Sequence, residues 1–385
     1  MDTTASVTPR EGMTDLYDKI IKYVYEIRMI EIDEYLYGMN RKKIEVEKAY
    51  EIIINVPDCE SNSVMNVWKG RLADPQLQFY KSSRVEKNES RAIAFYRKAV
   101  DLDIERIAEA GDQYACTCLG EMYHFGRGVN KNKSTAVKWY RKAAEQGYAD
   151  AQYKLGVMFQ FGQYVDQNYT TAVESFRKAA EQGHAVAQYS IGILYRNGRG
   201  VGQDTNAVEY YRKAAEQGYA IAQFVFGSMY SNGEGIDKSY STAVEWYRKA
   251  AEQGYAIAQN NLGVMYENGR GVDKNYSTPV EWYLKAAEQG YIFAQYNLAL
   301  MYEYGYGVDQ NDSIAVKWYR KAAEQGHAGS QNNLGWMYEK GKGVDQNYST
   351  AVEWFRKAAQ KGNAYAQRNL GHLTNKLSKK ANAEV

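Results

Sequence analysis

The four histidines and three cysteines of this chain are the residue types that most often act as a general base near neutral pH, as a thiolate nucleophile or as a soft metal ligand. They are His124, His184, His327, His372, Cys59, Cys116 and Cys118. Cys116 and Cys118 lie two positions apart, but no second cysteine or histidine pair follows at zinc-site spacing. The sequence therefore predicts no catalytic residues, no metal and no cofactor, and we expect a protein that is not an enzyme.

The sequence also disfavours phosphate binding, nucleic-acid binding and membrane insertion. Gly198, Gly200 and Gly202 form a glycine-rich loop, but no strand precedes it, as a phosphate-binding loop would require. The net charge is +2 and basic residues alternate with acidic ones, so we expect no nucleic-acid binding. No apolar run approaches the roughly 20 residues that span a bilayer. Since residues 1–12 also lack an apolar signal core, we expect a cytoplasmic protein without direct membrane insertion.

One glycine recurs along most of the chain at a spacing of 36, with a single interval of 35. The copies are Gly111, Gly147, Gly183, Gly218, Gly254, Gly290, Gly326 and Gly362. A fixed period in this range indicates a stack of identical supersecondary units. Any function then belongs to the surface of the stack.

Each unit has the pattern of a helical hairpin. Apolar residues at helical spacing predict a first helix, which Gly162 or an Asn-Gly pair such as Asn268-Gly269 ends as a left-handed C-cap. Residues 243–251 predict a second helix with one alanine- and aromatic-rich face. Thr242, three residues before Glu245, has the spacing of an N-terminal capping box, as do the equivalent threonines of three other units.

The period also divides the chain. We predict a disordered N-terminus over 1–13, a helical cap or docking segment over 14–70 and a degenerate repeat over 71–110. Seven full repeats follow over 111–362, and residues 363–385 supply a capping helix with a polar tail. Divergent end units shield the terminal faces of a solenoid.

The repeated residues resemble a known family. The pattern Ala258…Leu262-Gly263-x-Met265-Tyr266, followed by Gly-x-Gly-Val and Ala-Val-x-Trp-Tyr-x-Lys-Ala-Ala, is similar to the Sel-one-like repeat (SLR), a relative of the tetratricopeptide repeat. The resemblance implies an all-α, right-handed α/α solenoid of 36-residue hairpins that acts as a scaffold or adaptor for protein complexes. Ala299 departs from the pattern, because the family has glycine at that position.

Binding residues are predicted from positions that vary among units on the first helix, which lines the concave face in tetratricopeptide stacks. Aromatic, amide and acidic side chains recur there in rows. The candidates are Tyr153, Tyr189, Phe224, Asn260, Tyr296, Asn332 and Trp336; the asparagines Asn261, Asn297, Asn333 and Asn369; and the glutamates Glu267, Glu303 and Glu339. The asparagines could pair with an extended peptide or with a neighbouring hairpin, and both interpretations stay open. The glutamates favour a basic or polar ligand.

The leading hypothesis is thus a non-enzymatic adaptor that binds a protein or peptide partner on its concave face. Two alternatives stay open: a regulator of a membrane-associated enzyme complex, as some relatives are, and a secreted or effector enzyme. The end units are only partly polar, so self-association is a further hypothesis.

Overall fold

A computed structural model describes residues 104–200 and 206–383, and within those ranges every regular element is a helix. The helices are α1 (Ile104–Glu109), α2 (Gln113–Phe125), α3 (Lys133–Glu145), α4 (Ala149–Phe161), α5 (Tyr169–Glu181), α6 (Ala185–Arg196), α7 (Asn206–Glu216), α8 (Ala220–Asn232), α9 (Tyr240–Glu252), α10 (Ala256–Asn268), α11 (Ser277–Glu288), α12 (Ile292–Tyr304), α13 (Asp312–Glu324), α14 (Ala328–Lys340), α15 (Tyr348–Gln360) and α16 (Ala364–Ala383). From α2 onward they alternate between first and second helices of successive hairpins. The predicted α/α solenoid of repeated hairpins is confirmed.

The described helices fall into two compact units, the first extending to Gln223 and the second beginning at Phe224. In the first unit, Tyr140, Leu155 and Met158 belong to a buried cluster, and in the second a larger cluster is built around residues such as Tyr283 and Tyr319. The predicted segments 1–13, 14–70 and most of 71–110 lie outside the described residues.

Helix ends follow the predicted glycines, but the N-terminal caps differ from the prediction. Gly269 has φ of 65° and caps α10, as expected for a left-handed C-cap. The capping box at Thr242 is wrong: α9 begins earlier, and the Ser239 side chain accepts the N–H of Thr242. Asparagines do the same at α3, α5, α13 and α15, for instance Asn347 for Thr350. A cap three residues upstream makes the threonine part of the first turn.

In six of the described hairpins the first and second helices meet at a glycine, and the hairpin of α12 and α13 has Ala299 at that position. A methyl group on Gly263 would lie 2.6 Å from a ring carbon of Tyr283, and one on Gly335 would lie 2.8 Å from the Phe355 ring. The same contact joins Gly120 to Tyr140, Gly156 to Phe176, Gly192 to Tyr211 and Gly227 to Tyr247. Only a residue without a side chain lets the aromatic ring approach the helix backbone this closely.

Glutamines that the sequence analysis did not single out link one hairpin to the next. Gln259 donates to the carbonyl of Ala251 in the preceding hairpin at 3.0 Å, and its Oε1 accepts at 2.8 Å from Nε2 of Gln289, which follows the second helix of its own hairpin. The second bond recurs from Gln182 to Gln152, from Gln217 to Gln188 and from Gln325 to Gln295. We call this set the glutamine ladder. It satisfies buried amides that would otherwise destabilise the core.

The ladder is broken at Gln331. Its Nε2 donates to the Ala323 carbonyl, but its Oε1 is buried and has no hydrogen-bond partner among the residues that the structure describes. Lys361 stands where the other repeats have the donating glutamine, and its ammonium instead donates to the Gly326 carbonyl at 2.6 Å. One substitution in the sequence therefore leaves a buried acceptor unpaired.

The final helix α16 continues through most of the segment that we expected to be a polar tail. It is 20 residues long, whereas α14 has 13. Leu377 stands 36 positions after Gly341, which caps α14 in the left-handed conformation. Without glycine at that point, the lysine-rich segment continues as helix to Ala383.

Gly263→Ala should destabilise the protein, whereas Gly371→Ala should not. Overpacking costs about 1–3 kcal/mol, and we expect the lower end because one repeat has Ala299 at this position, in the same buried cluster as Tyr319. At Gly371 an added methyl group would meet no atom of the described residues within 4 Å outside the nearby backbone of α16. Alanine there should gain about 0.5–1 kcal/mol of helix stability. Thermal unfolding followed by circular dichroism compares the two, and equal losses would contradict the glycine–aromatic contact.

Lys361→Gln should raise stability by about 1 kcal/mol, because it supplies the missing donor to Gln331. Gln289→Lys is the matched reversal and should cost about 1–3 kcal/mol by leaving Gln259 unpaired. Lys361→Ala serves as the control, since it removes the bond to Gly326 without adding an amide. Urea midpoints of the three variants give the comparison. If Lys361→Gln and Lys361→Ala behave alike, the ladder does not contribute.

Candidate functional site

Six of the predicted binding residues occupy one position of the first helix, which we call the seam column. Its members are Tyr153, Tyr189, Phe224, Asn260, Tyr296 and Asn332. Tyr153 lies 5.6 Å from Phe176 of its own hairpin and 4.8 Å from His184 at the start of the next first helix. Tyr296 has the same two contacts, with Tyr319 at 6.0 Å and His327 at 4.7 Å. The aromatic members thus pack between hairpins, as centroid distances of 4.5–7 Å indicate.

Tyr189 and Phe224 repeat this arrangement. Tyr189 lies 5.4 Å from Tyr219, and Phe224 lies 5.4 Å from Tyr255. All four aromatic members are half-buried. Burial also raises the pKa of the Tyr153 hydroxyl to about 12. Partner binding by these residues stays a prediction, but their ring contacts already have a structural role.

The two asparagines of the seam column link hairpins by a different interaction. Asn260 Oδ1 accepts from Asn297 Nδ2 at 3.0 Å, and Asn332 Oδ1 accepts from Asn369 Nδ2 at 3.0 Å. Their own amides donate to the adjacent Asn261 and Asn333, whose oxygens accept at 3.3 and 3.2 Å. Within the predicted asparagine column, Asn297 and Asn369 therefore donate hydrogen bonds to the preceding hairpin. An aromatic pair and an amide pair are alternatives at the same seam.

The predicted acidic row lies where each first helix ends. Glu267 accepts from the Tyr283 hydroxyl at 2.7 Å, and Glu303 accepts from the Tyr319 hydroxyl at 2.5 Å. Burial, followed by the bond to Glu267, raises the pKa of Tyr283. Phe355 has no hydroxyl to offer Glu339, which pairs with Lys340 at 2.8 Å instead.

The charge that this row presents to a ligand is small. Glu303 and Glu339 are each 6% exposed, so little of either carboxylate is accessible. Both already have partners within the protein, and binding a basic ligand would compete with those bonds. The carboxylates therefore make stabilising contacts within the protein, and their contact with a ligand stays a prediction.

An apolar surface on the first helices of the second unit is more accessible. Phe293 is 51% exposed although it lies on a packed helix. Its ring contacts Tyr291 at 5.6 Å and His327 at 5.6 Å. Gly329, at the same position of the next first helix, has no side chain. Four half-buried residues extend the surface around Phe293. We define the first-helix surface as Ile257, Val264, Phe293, Leu300 and Trp336.

His327 lies beneath this surface and has a structural bond of its own. Its Nδ1 accepts the backbone N–H of Ser330 at 3.2 Å and caps α14. Burial, and to a lesser degree Lys361, lowers the pKa of His327. The ring is therefore held neutral, as an acceptor requires.

Neither metal chemistry nor a membrane span is visible in the described part of the chain. Among residues 104–200 and 206–383, no three His, Cys, Asp or Glu side chains come together as metal ligands would. Each described helix is too short or too polar to cross a bilayer. Cys116 and Cys118 are both buried, where a thiol packs as a small apolar residue.

Known proteins share the repeat. The Sel1 repeat family matches residues 71–104, 113–148, 149–184, 185–219, 220–255, 256–291, 292–327 and 328–363. No curated protein matches the chain. Proteins with this repeat commonly mediate protein–protein interaction and are typically non-enzymatic.

Two crystal structures give the same architecture. A protective antigen of uropathogenic Escherichia coli strains, which displays an SLR fold, is 39% identical with a TM-score of 0.69; the match covers 70% of this chain and 58% of that one. A Sel1 repeat protein from Oxalobacter formigenes is 34% identical with a TM-score of 0.60, covering 81% and 87%. The chain thus spans little more than half of the E. coli protein. On the eight matched segments, the chain belongs to the Sel1 repeat family.

Proposed function

We propose that this protein is a non-enzymatic adaptor that holds a segment of a partner protein on the first-helix surface of its second unit. The half-exposed Phe293 carries this proposal. An aromatic side chain that a fold leaves exposed beside half-buried apolar neighbours has the composition of a binding hot spot. By analogy with tetratricopeptide stacks, first helices line the concave face.

The chemistry of this surface favours an apolar stretch of the partner. Leu300 and Trp336 are half-buried and pack against the core, so they form a firm base beside Phe293. Gly329 has no side chain at the position where other repeats have aliphatic side chains such as Ile257, so Phe293 is the large apolar residue of that row. An apolar side chain of the partner would contact Phe293. Since Glu303 and Glu339 are buried, charge contributes less to this contact than apolar area.

The seam column has a supporting role in this proposal. Substituting Tyr153, Tyr189, Phe224 or Tyr296 by alanine would remove ring contacts between hairpins as well as any contact with a partner. A loss of binding in such variants would not separate folding from recognition. Phe293 is a sharper probe because half of its surface is accessible.

Phe293→Glu should reduce recovery of a specific partner by about tenfold or more, since a hot-spot residue contributes at least 2 kcal/mol. The measurement is affinity purification from the native extract with quantitative mass spectrometry. Tyr304→Glu is the matched control: Tyr304 lies on the same helix, is 56% exposed and is outside the first-helix surface. Both variants should keep the wild-type thermal midpoint. Full recovery of every partner by Phe293→Glu would reject this site.

A further inference from the structure

Three exposed tyrosines of the second unit stack on one another at the loop ends of two neighbouring hairpins. Tyr276, Tyr304 and Tyr306 are 36%, 56% and 45% exposed, and we call them the tyrosine stack. The ring centroids of Tyr276 and Tyr306 lie 5.3 Å apart with an interplanar angle of 21°, and those of Tyr304 and Tyr306 lie 5.7 Å apart at 29°. A single exposed ring is ordinary on a protein surface, whereas a contiguous exposed patch marks an interaction site.

The rings of the tyrosine stack are offset from one another. Carbon atoms of contacting rings are about 3.5–4.0 Å apart, so these centroid distances require a sideways shift of about 4 Å from each ring to the next. Part of each ring face is therefore uncovered, and the three rings form steps along the surface. A ligand with flat apolar groups could pack on those steps.

The tyrosine stack arises where one repeat departs from the others. Two other repeats have Arg199 and Arg270 at the position of Tyr306, and their guanidinium groups lie 5.4 and 5.7 Å from the rings of Tyr169 and Tyr240. The ring at the end of α12 is also a departure, because three repeats have an asparagine there: Asn197, Asn232 and Asn268. A cation–π contact and an amide thus suffice at this place in the fold, and the additional rings are not required for packing.

Charge around the tyrosine stack distinguishes among ligands. Loops 269–276 and 305–312 contain two basic and three acidic residues. Lys274 lies over the Tyr276 ring at 5.1 Å, and Asp309 is exposed in the loop that carries the central ring. Single-stranded nucleic acid also stacks on aromatic rings, but it requires a positively charged groove for its phosphates. The acidic balance of these loops instead favours a ligand with a basic group.

The spacing of the rings matches a polyproline II helix. Two residues of that helix rise by about 6 Å, which is close to the two centroid distances in the tyrosine stack. The backbone of a polyproline II helix has no internal hydrogen bonds, so its carbonyls can accept from the tyrosine hydroxyls. Such a segment is already extended before it binds, so it loses little conformational entropy on an aromatic surface.

We propose that the tyrosine stack is a docking site for a proline-rich segment of a partner protein, bound as a polyproline II helix with a basic residue beside Asp309. This site is separate from the first-helix surface. Phe293 and Tyr304 are eleven residues apart on α12, or about 16 Å along its axis. Binding at each of the two sites can therefore be tested without the other.

A synthetic peptide tests the site directly. The probe is an octaproline with an arginine at each end, labelled with fluorescein at one terminus and blocked at the other. Its anisotropy with the full-length protein should show saturable binding. A peptide with glutamate in place of both arginines should bind about tenfold more weakly, a difference of about 1.4 kcal/mol. A glycine–serine peptide with the same arginines should show at least the same loss, because it is flexible and has no proline rings.

Tyr306→Arg is the decisive variant, because Arg270 already occupies the equivalent position over a tyrosine ring. It removes the central ring, so the proline peptide should bind about tenfold more weakly while the thermal midpoint stays that of the wild type. Tyr304→Asn, which copies Asn268, should weaken binding without adding a charge. Phe293→Glu is the control and should bind the peptide as the wild type does.

Two results would overturn the proposal. One is equal affinity of the proline peptide for the wild type and Tyr306→Arg, or no binding at about 1 mM peptide. The other is tighter binding of a fluorescent oligothymidylate than of the proline peptide, because the rings would then be a base-stacking surface. Neither result bears on the partner of Phe293, whose recovery should be unchanged in Tyr306→Arg.

Discussion

The close approach of two helices at a glycine is the constraint on which the rest of this structure depends. Six of the described hairpins bury an aromatic ring against a first-helix backbone that has no side chain at that point, as Tyr283 does at Gly263, and a seventh has the small residue Ala299 there. Ring and backbone together fix how the two helices pack, and the repeat length then fixes where the next hairpin begins. A stack built this way needs no central core, since each hairpin buries its apolar face against its neighbours.

The sequence predicted this part of the fold because periodicity reports it directly. Repeated glycines, an alanine-rich second helix and Asn-Gly C-caps led to a solenoid of helical hairpins, which the structure confirms. The N-terminal caps were mispredicted because Thr242 with Glu245 has the spacing of a capping box, while Ser239 also supplies a suitable oxygen. Spacing alone does not decide between two capping residues three positions apart.

Variation among repeats does not by itself distinguish binding residues from packing residues. The seam column varies between aromatic and amide residues, yet Tyr296 and Asn260 both connect neighbouring hairpins, one by ring contacts and the other by a hydrogen bond. Two kinds of contact can therefore satisfy one seam, and a variable position can still be structural. The glutamine ladder shows the converse. Glutamines equivalent to Gln259 and Gln289 recur in most repeats of the sequence. Their hydrogen bond joins side chains 30 residues apart, which no local sequence pattern indicates.

Most of the recurring residues described above make packing contacts or hydrogen bonds with neighbouring helices. Exposed positions that depart from this pattern are therefore the ones to consider for binding. Phe293 is 51% exposed at a position where other repeats have Ile257 or Gly329. At α16, Leu377 stands where other repeats have a capping glycine, and the helix continues to Ala383. Both features arise where a repeat departs from its neighbours. The regular positions of a solenoid are used for stacking, so the positions that depart from the repeat are the ones at which a partner can bind.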